Sequence, residues 1–428
     1  MKRRLCTVSL SRRLSGAAAL LLVGLLAFAG CTSSEVPVTQ TAAAPTKPAV
    51  VGAGATPTRA ALPSPSSSPT GTAVASPTAT VVPTAAAARA QQGQIAFVYQ
   101  GDIWLISPDG KSQRRLTNDG GYSTPRWSPD ASRLAFVRGT GLRARLGLMN
   151  ADGSGKKLLA GTTGAADTGP VWSPRGNLVA YTHTAEMNGD GQIDVRDEAE
   201  VWLVEADGSK PRRLVSGRDP AWSPEGLRLA FVTNGVVSTQ VPYRHDNSLN
   251  LVNTRGQNEW TVLTVAKVPS QIDVGGGVTL SPSTSLLKAP SWQADGQRIA
   301  CTTQGHTGLV LTMSLSATDL RIVDTSYEGG FGRALYAPVG DYLAYEAQPP
   351  SGMGEIGVVD GAGNKIATLG GVRKGLRFTE LTWAPDGAAL VFAQAEAEPY
   401  LGTAAPDGSN LKQLIWGVSR WPDWGSKR

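Results

Sequence analysis

The stretch AEMNGDGQIDVRDEAE, residues 185–200, gathers six acidic side chains and two glycines between two runs that read as β-strands. Clustered carboxylates suit a hard divalent cation, which takes six to eight oxygen ligands, while the same composition also suits a solvated acidic turn. The other chemistry-bearing residues are thinly spread. The three histidines, His183, His245 and His306, fall on different repeats, and no nucleophile elbow or Cys/His constellation is present. The GKS at residues 110–112 lacks the glycine that a phosphate loop places five positions earlier, so it reads as a hairpin turn. His183 either lies near an ion in the acidic loop or makes an ordinary strand-end hydrogen bond. Cys301 reads as a buried small hydrophobe.

These residues must be positioned by the elements around them, and the elements repeat. From residue 93 onward an aromatic followed by a turn recurs as PRWSPDA, PVWSPRG, PAWSPEG, PSWQADG, ALYAPVG, LTWAPDG and RWPDWG. The markers are Trp127, Trp172, Trp222, Trp292, Tyr336, Trp383 and Trp424, spaced by 45, 50, 70, 44, 47 and 41 residues. Each internal marker is followed by three apolar or alternating runs separated by Gly/Asp/Pro turns, for example RLAFV, LGLMN and KKLLA. Four strands per unit and seven units predict an all-β, seven-bladed β-propeller, six-bladed if the fifth or sixth repeat fails to form a blade. The first repeat, starting at QIAFV, lacks its marker strand, and the chain closes on an orphan one, SRWPDW. The last strand is therefore expected to complete the first blade, which removes exposed sheet edges.

The W-S-P-D-G, I-A-F, A-D-G, R-R-L pattern resembles the WD-like repeat of TolB-type propellers over residues 93–428. The resemblance implies the fold and, more loosely, a protein-binding platform, a peptidase module or occasionally an enzyme. The acidic stretch resembles a dockerin or EF-hand calcium loop when Gly191 is set at its sixth position. That alignment implies Ca2+ held by Glu186, Asn188, Asp190, the Gln192 carbonyl, Asp194 and Asp197, with Ile193 at the apolar eighth position. Glu186 stands where Asp is usual, and Asp197 where EF-hands carry a bidentate Glu. With strands on both sides, such a site is a loop staple.

Residues 1–30 read as a lipoprotein-type signal peptide: Lys2, Arg3, Arg4, Arg12 and Arg13 precede the apolar run AAALLLVGLLAFA. Ala29 and Gly30 before Cys31 resemble a lipobox, in which Cys31 is lipidated, although Phe28 departs from the usual aliphatic; a plain cleaved signal is the alternative. Residues 31–92, rich in Pro, Thr, Ala and Ser, read as a disordered stalk. The net charge of +6 includes five basic residues of the leader, so the remainder carries only +1 and gives no reason to expect nucleic acid. An extracytoplasmic, membrane-anchored monomer is expected.

In a propeller the turns after the first and third strands of each blade lie on one face, and the other connections lie on the opposite face. All long insertions, residues 184–199, 233–247 and 267–288, belong to the second set. That elaborated face is expected to bind a protein or cell-envelope ligand, with Tyr243, Arg244, His245 and Asp246 among the contacts. The marker aromatics are expected to form inter-blade core. The function expected is a non-catalytic binding scaffold. The alternative is a carbohydrate-active lyase or hydrolase working in the central channel, which would need convergent His, Arg or acidic residues on several inner strands, of which the marker strands show few.

Overall fold

The computed structural model describes residues 93–425 apart from 188, 194–196, 238–244, 270, 274–278, 281–284, 306, 328–329, 349–353, 371–376, 396–398 and 418. The leader, Cys31 and the stalk therefore lie outside the described residues.

Seven four-stranded antiparallel sheets form seven blades. Their first strands are Ser419–Gly425, Tyr122–Trp127, Ala165–Trp172, Arg218–Trp222, Leu286–Trp292, Gly330–Tyr336 and Arg377–Trp383, for blades 1 to 7 in turn. These strands lie innermost, each against the first strand of a neighbouring blade. Blade 1 is closed as the repeat phase predicts: Gln94–Tyr99 pairs with Ser419–Gly425, Ile95 opposite Trp424 and Ala96 opposite Asp423. Two short hairpins, Val236–Val237 with His245–Asp246 and Ile272–Asp273 with Thr279–Leu280, stand apart from the blades.

The second strands read as unbroken apolar runs because both of their faces are buried. In blade 1, Ala96 and Val98 pack on Tyr122, Leu134 and Phe136 of blade 2, whereas Ile95 and Phe97 pack on Val391 and Leu401 of blade 7. The pleat thus deals alternate residues to two different inter-blade cores. Where the second strand carries a large ring, the facing third-strand residue is often glycine: Phe136 opposes Gly147 and Tyr345 opposes Gly357. A methyl group at either glycine would sit within the facing ring.

The marker aromatics are inter-blade core, and they also link the blades by hydrogen bonds. Trp172 Nε1 donates to the Arg126 carbonyl at 3.0 Å, Trp222 to Val171 at 3.2 Å, Trp292 to Ala221 at 3.1 Å and Trp383 to Leu335 at 2.9 Å. Each acceptor is the residue just before the marker of the preceding blade. Tyr336 has no indole to donate, and the buried Trp127 Nε1 has no partner among the described residues.

Every first strand also carries a register shift two to four residues before its marker. In five blades the third residue before the marker is a non-glycine in the left-handed region: Thr124, Asp219, Ala289, Glu380 and Trp421, with φ between 44° and 57°. Such a backbone costs about 1–2 kcal/mol per residue unless its surroundings hold it. Here it turns amides toward the preceding blade, where a side chain waits to accept them.

Candidate functional site

The elaborated face is built on paired amide clamps. Asn234 Oδ1 accepts the Ala199 N–H at 3.2 Å and its Nδ2 donates to the Ala199 carbonyl at 2.9 Å, joining blade 4 to blade 3. Asn247 does the same toward blade 5, donating to the Leu287 carbonyl at 2.8 Å and accepting its N–H at 2.9 Å. A side-chain amide used this way mimics one backbone pairing, and Asn247 is buried. The hairpin of Val236–Val237 and His245–Asp246 rises between these two residues, so both of its ends are fixed to neighbouring blades. Of the four expected contact residues, Asp246 is exposed on this hairpin and His245 forms its second strand, whereas Tyr243 and Arg244 lie outside the described residues.

The acidic loop spans the end of Leu178–Ala185 to the start of Glu198–Glu205 on the same face. Gly191 has φ 74°, as the sixth position of such a loop requires, and Gly189 has φ 76°. Asp197, buried, accepts the Met187 N–H at 3.0 Å; Asp190 accepts the Gln192 N–H at 2.8 Å; Glu186 accepts the Gly189 N–H. Ile193 packs against Val137, Ala144 and Ala166, which pins the loop to blades 2 and 3. Asn188 and Asp194 lie outside the described residues. Among the described residues no group of three or more His, Cys, Asp or Glu converges as a metal site. The two glycines turn the backbone as the expected loop requires, and the described donors do not by themselves close a ligand shell. His183 makes an ordinary hydrogen bond, Nδ1 to Asp167 Oδ1 at 2.8 Å, beside the Trp202 ring.

The channel differs from the expectation. The inner strands carry Arg126, Asp219, Lys288, Arg333, Glu380 and Asp423, with Glu346 close behind on the second strand of blade 6. Their carboxylates sew the ring together. Asp219 accepts the Ala289 N–H at 3.0 Å, Glu346 the Leu381 N–H at 2.9 Å, Glu380 the Trp421 N–H at 2.6 Å and Asp423 the Trp127 N–H at 2.7 Å. Each bond reaches into the next blade. Hydroxyls serve the same purpose at Thr182, which accepts from Asp219 N at 3.1 Å, and at Ser291, which accepts from Tyr336 N at 3.2 Å.

Burial sets the electrostatics here. It pushes the Glu380 and Asp423 carboxyls above their ordinary values and the Lys288 ammonium below its own. The Arg126 guanidinium is lowered to about 10, first by burial and then by the nearby Arg333 charge. These groups were missed in the sequence because no single one belongs to a recognisable motif. A usable signal exists, however: aligned on the marker, a charge stands either one residue before it, in blades 1 and 2, or three residues before it, in blades 4, 6 and 7.

A recess of about 680 Å³ opens at the end of the channel where the first-to-second-strand turns lie, walled by Pro174, Pro224, Pro338 and the neighbouring marker aromatics. This is the regular face, opposite the hairpins.

No protein-family model matches the chain. It is 39% identical over 82 residues to the Tol-Pal system protein TolB of Rhizorhabdus wittichii, which covers 18% of this chain and 16% of the relative. Over 145 residues it is 30% identical to the Protein TolB homolog of Chlorobium luteolum, covering 33% of this chain and 30% of the relative. It thus spans less than a third of the length of these curated relatives. Among solved structures, an oligogalacturonate lyase in complex with manganese superposes with a TM-score of 0.53 at 12% identity, covering 71% of this chain and 82% of that one. At that identity the likeness is one of fold. The described chain is a seven-bladed β-propeller whose repeats are similar in sequence to those of TolB proteins.

Proposed function

We propose that this protein is a non-catalytic binding scaffold of the cell envelope, held to the outer side of a membrane by lipidation of Cys31 and carried by the stalk of residues 31–92. The observation that carries the reading is the double amide clamp: Asn234 and Asn247 fix both ends of the hairpin at residues 236–246 to blades 3 and 5. Insertions that merely decorate a surface need no such mounting, whereas recognition loops benefit from a rigid base. The similarity to Tol-Pal system proteins supports an envelope location and a protein partner. The scaffold acts as a monomer, and Ca2+ bound by Glu186, Asn188, Asp190, Gln192, Asp194 and Asp197 staples the neighbouring loop.

The test is in-cell crosslinking of the full-length chain against a variant in which residues 236–246 are replaced by a two-residue turn. One stoichiometric partner lost on replacement, with the melting temperature kept, is the expected result. An identical crosslink pattern in both chains would overturn the reading. The alternative, a lyase or hydrolase with its centre in the channel, draws on Arg126 and Arg333 at the recess. Turnover of an acidic oligosaccharide, abolished by Arg126→Gln, would replace the scaffold reading.

A further inference from the structure

The channel treats its two signs of charge differently. Asp219, Glu346, Glu380 and Asp423 each already accept a backbone N–H from the following blade, at 2.6 to 3.0 Å. The cations are less well used. Among the described residues, the only hydrogen bond of the Arg126 guanidinium is from Nη1 to its neighbour's carbonyl at Pro125, at 3.0 Å, and Asp423 lies 4.0 Å away. Arg333 donates from Nη2 to the Leu381 carbonyl at 3.0 Å, and its Nε stands 3.8 Å from Glu346. A guanidinium has five N–H donors, so both side chains keep most of their capacity.

Arg126 and Arg333 line the same recess of about 680 Å³, within the size range of small-ligand sites. They come from blades 2 and 6, and Arg333 is close enough for its charge to weigh on Arg126. Asp423 and Glu346 balance the two charges from 4.0 and 3.8 Å, while most of the guanidinium N–H donors beside the half-open recess stay unused, and unused donors of this kind suit the oxygens of an anionic ligand. The walls narrow the class further. Beside the arginines they consist largely of prolines, such as Pro170, Pro220 and Pro290, and of marker aromatics, with Asp219 and Ser291 among the few other polar side chains. A carboxylate on an apolar body would satisfy the arginines and the proline walls together, and an acidic oligosaccharide is the competitor that the test must separate from it.

We infer that the recess on the regular face is a second binding site, which takes a peptide carboxylate flanked by apolar residues, the carboxylate bridging Arg126 and Arg333. The site faces away from the hairpins and does not depend on the function proposed for them. The carboxylate belongs either to a free chain end or to an acidic side chain.

The test uses the full-length chain and three pools of random hexapeptides: free C-termini, amidated C-termini without acidic residues, and amidated C-termini with one internal glutamate. Retention is read by mass spectrometry. The expected result is enrichment of a carboxylate pool over the neutral amidated pool, lost about tenfold in Arg126→Gln and in Arg333→Gln, and partly kept in Arg126→Lys, which retains charge but not the fork. Enrichment of the first pool assigns a chain end, and enrichment of the third an acidic side chain. Equal retention of all three pools by the wild-type chain would overturn the inference, as would trigalacturonate displacing a dye from the recess where no peptide pool does. Arg126→Gln takes a cation from beside Asp423, so its melting temperature is read alongside, and a folded Arg126→Gln chain that keeps the carboxylate enrichment would also overturn the inference. Because Arg333 also braces the Leu381 carbonyl, Arg126→Gln is the deciding variant.

Discussion

Two marker tryptophans offer a controlled measurement of what the inter-blade hydrogen bonds contribute. Trp222 and Trp127 occupy equivalent repeat positions and are almost equally buried, 9% and 8% exposed. Trp→Phe removes the same atoms at each, so the cavity terms cancel to first order. The hydrogen bonds do not cancel. Trp222→Phe removes the indole bond to the Val171 carbonyl at 3.2 Å, which keeps its ladder bond to the facing Ala180, whereas Trp127→Phe removes an N–H that has no partner among the described residues. Losing one such bond costs about 0.5–1.5 kcal/mol, and removing an unpaired buried donor returns about 1 kcal/mol. Trp222→Phe should therefore be the more destabilising by about 1.5–2.5 kcal/mol, on the order of tenfold or more in the folding equilibrium. Urea unfolding of the full-length variants, followed by far-ultraviolet circular dichroism, reads the gap directly. Equal losses in the two variants would refute the hydrogen-bond account and reduce the marker to a volume filler.

Three further outcomes are expected. Asp130, in the turn after Trp127, accepts from the Ser128 and Ser132 hydroxyls at 2.6 and 2.7 Å, and its carboxyl is pushed down to about 2. A lowered folded-state pKa contributes stability that is present above the unfolded value of 3.8 and lost as pH falls toward about 2. Asp130→Asn should thus lower the unfolding free energy at pH 6 by less than about 1 kcal/mol, read from urea titrations, because the turn is exposed, and the gap should close below about pH 2; a gap independent of pH would contradict this. Cys301 is fully buried and its thiol is pushed up to about 12, so Ellman's reagent should react with it only as fast as the chain unfolds. Fast labelling of the folded chain would show the strand to be open. Calcium at about 1–2 mM should stabilise the wild-type chain by about 1.5 kcal/mol if its site has a dissociation constant near 10⁻⁴ M, with no gain in Asp190→Ala and none from magnesium. A calorimetric titration of the wild-type chain with no heat of calcium binding would return residues 185–200 to the status of a solvated turn.

Much of the architecture was legible in the sequence, because a propeller repeats one local solution seven times. The marker aromatic, the S-P-D-G turn and the apolar run after it are each set by short-range chemistry: positive φ at a glycine, proline at a turn, β-branched residues on a pleat. The orphan strand SRWPDW declared the ring closure because a missing first strand at one end and a spare one at the other leave a single way to complete every sheet. The topology also sorted short turns from long insertions between the two faces, which is where the structure puts the two extra hairpins.

The channel could not be read that way. Alternation tells which residues share a strand face, but the register shift in each first strand resets the phase just where Arg126, Asp219 and Asp423 lie. Their partners are also remote: Asp423 reaches the Trp127 amide across 296 residues, and Asp219 that of Ala289 across 70. Asn234 and Asn247 likewise look like loop residues in the sequence and become clamps only when neighbouring blades arrive. Local propensity acts over a few residues and is encoded where it acts. Which charges are spent on backbone amides, and which arginines are left facing the recess, depends on seven blades meeting around one axis, and that only the tertiary structure decided.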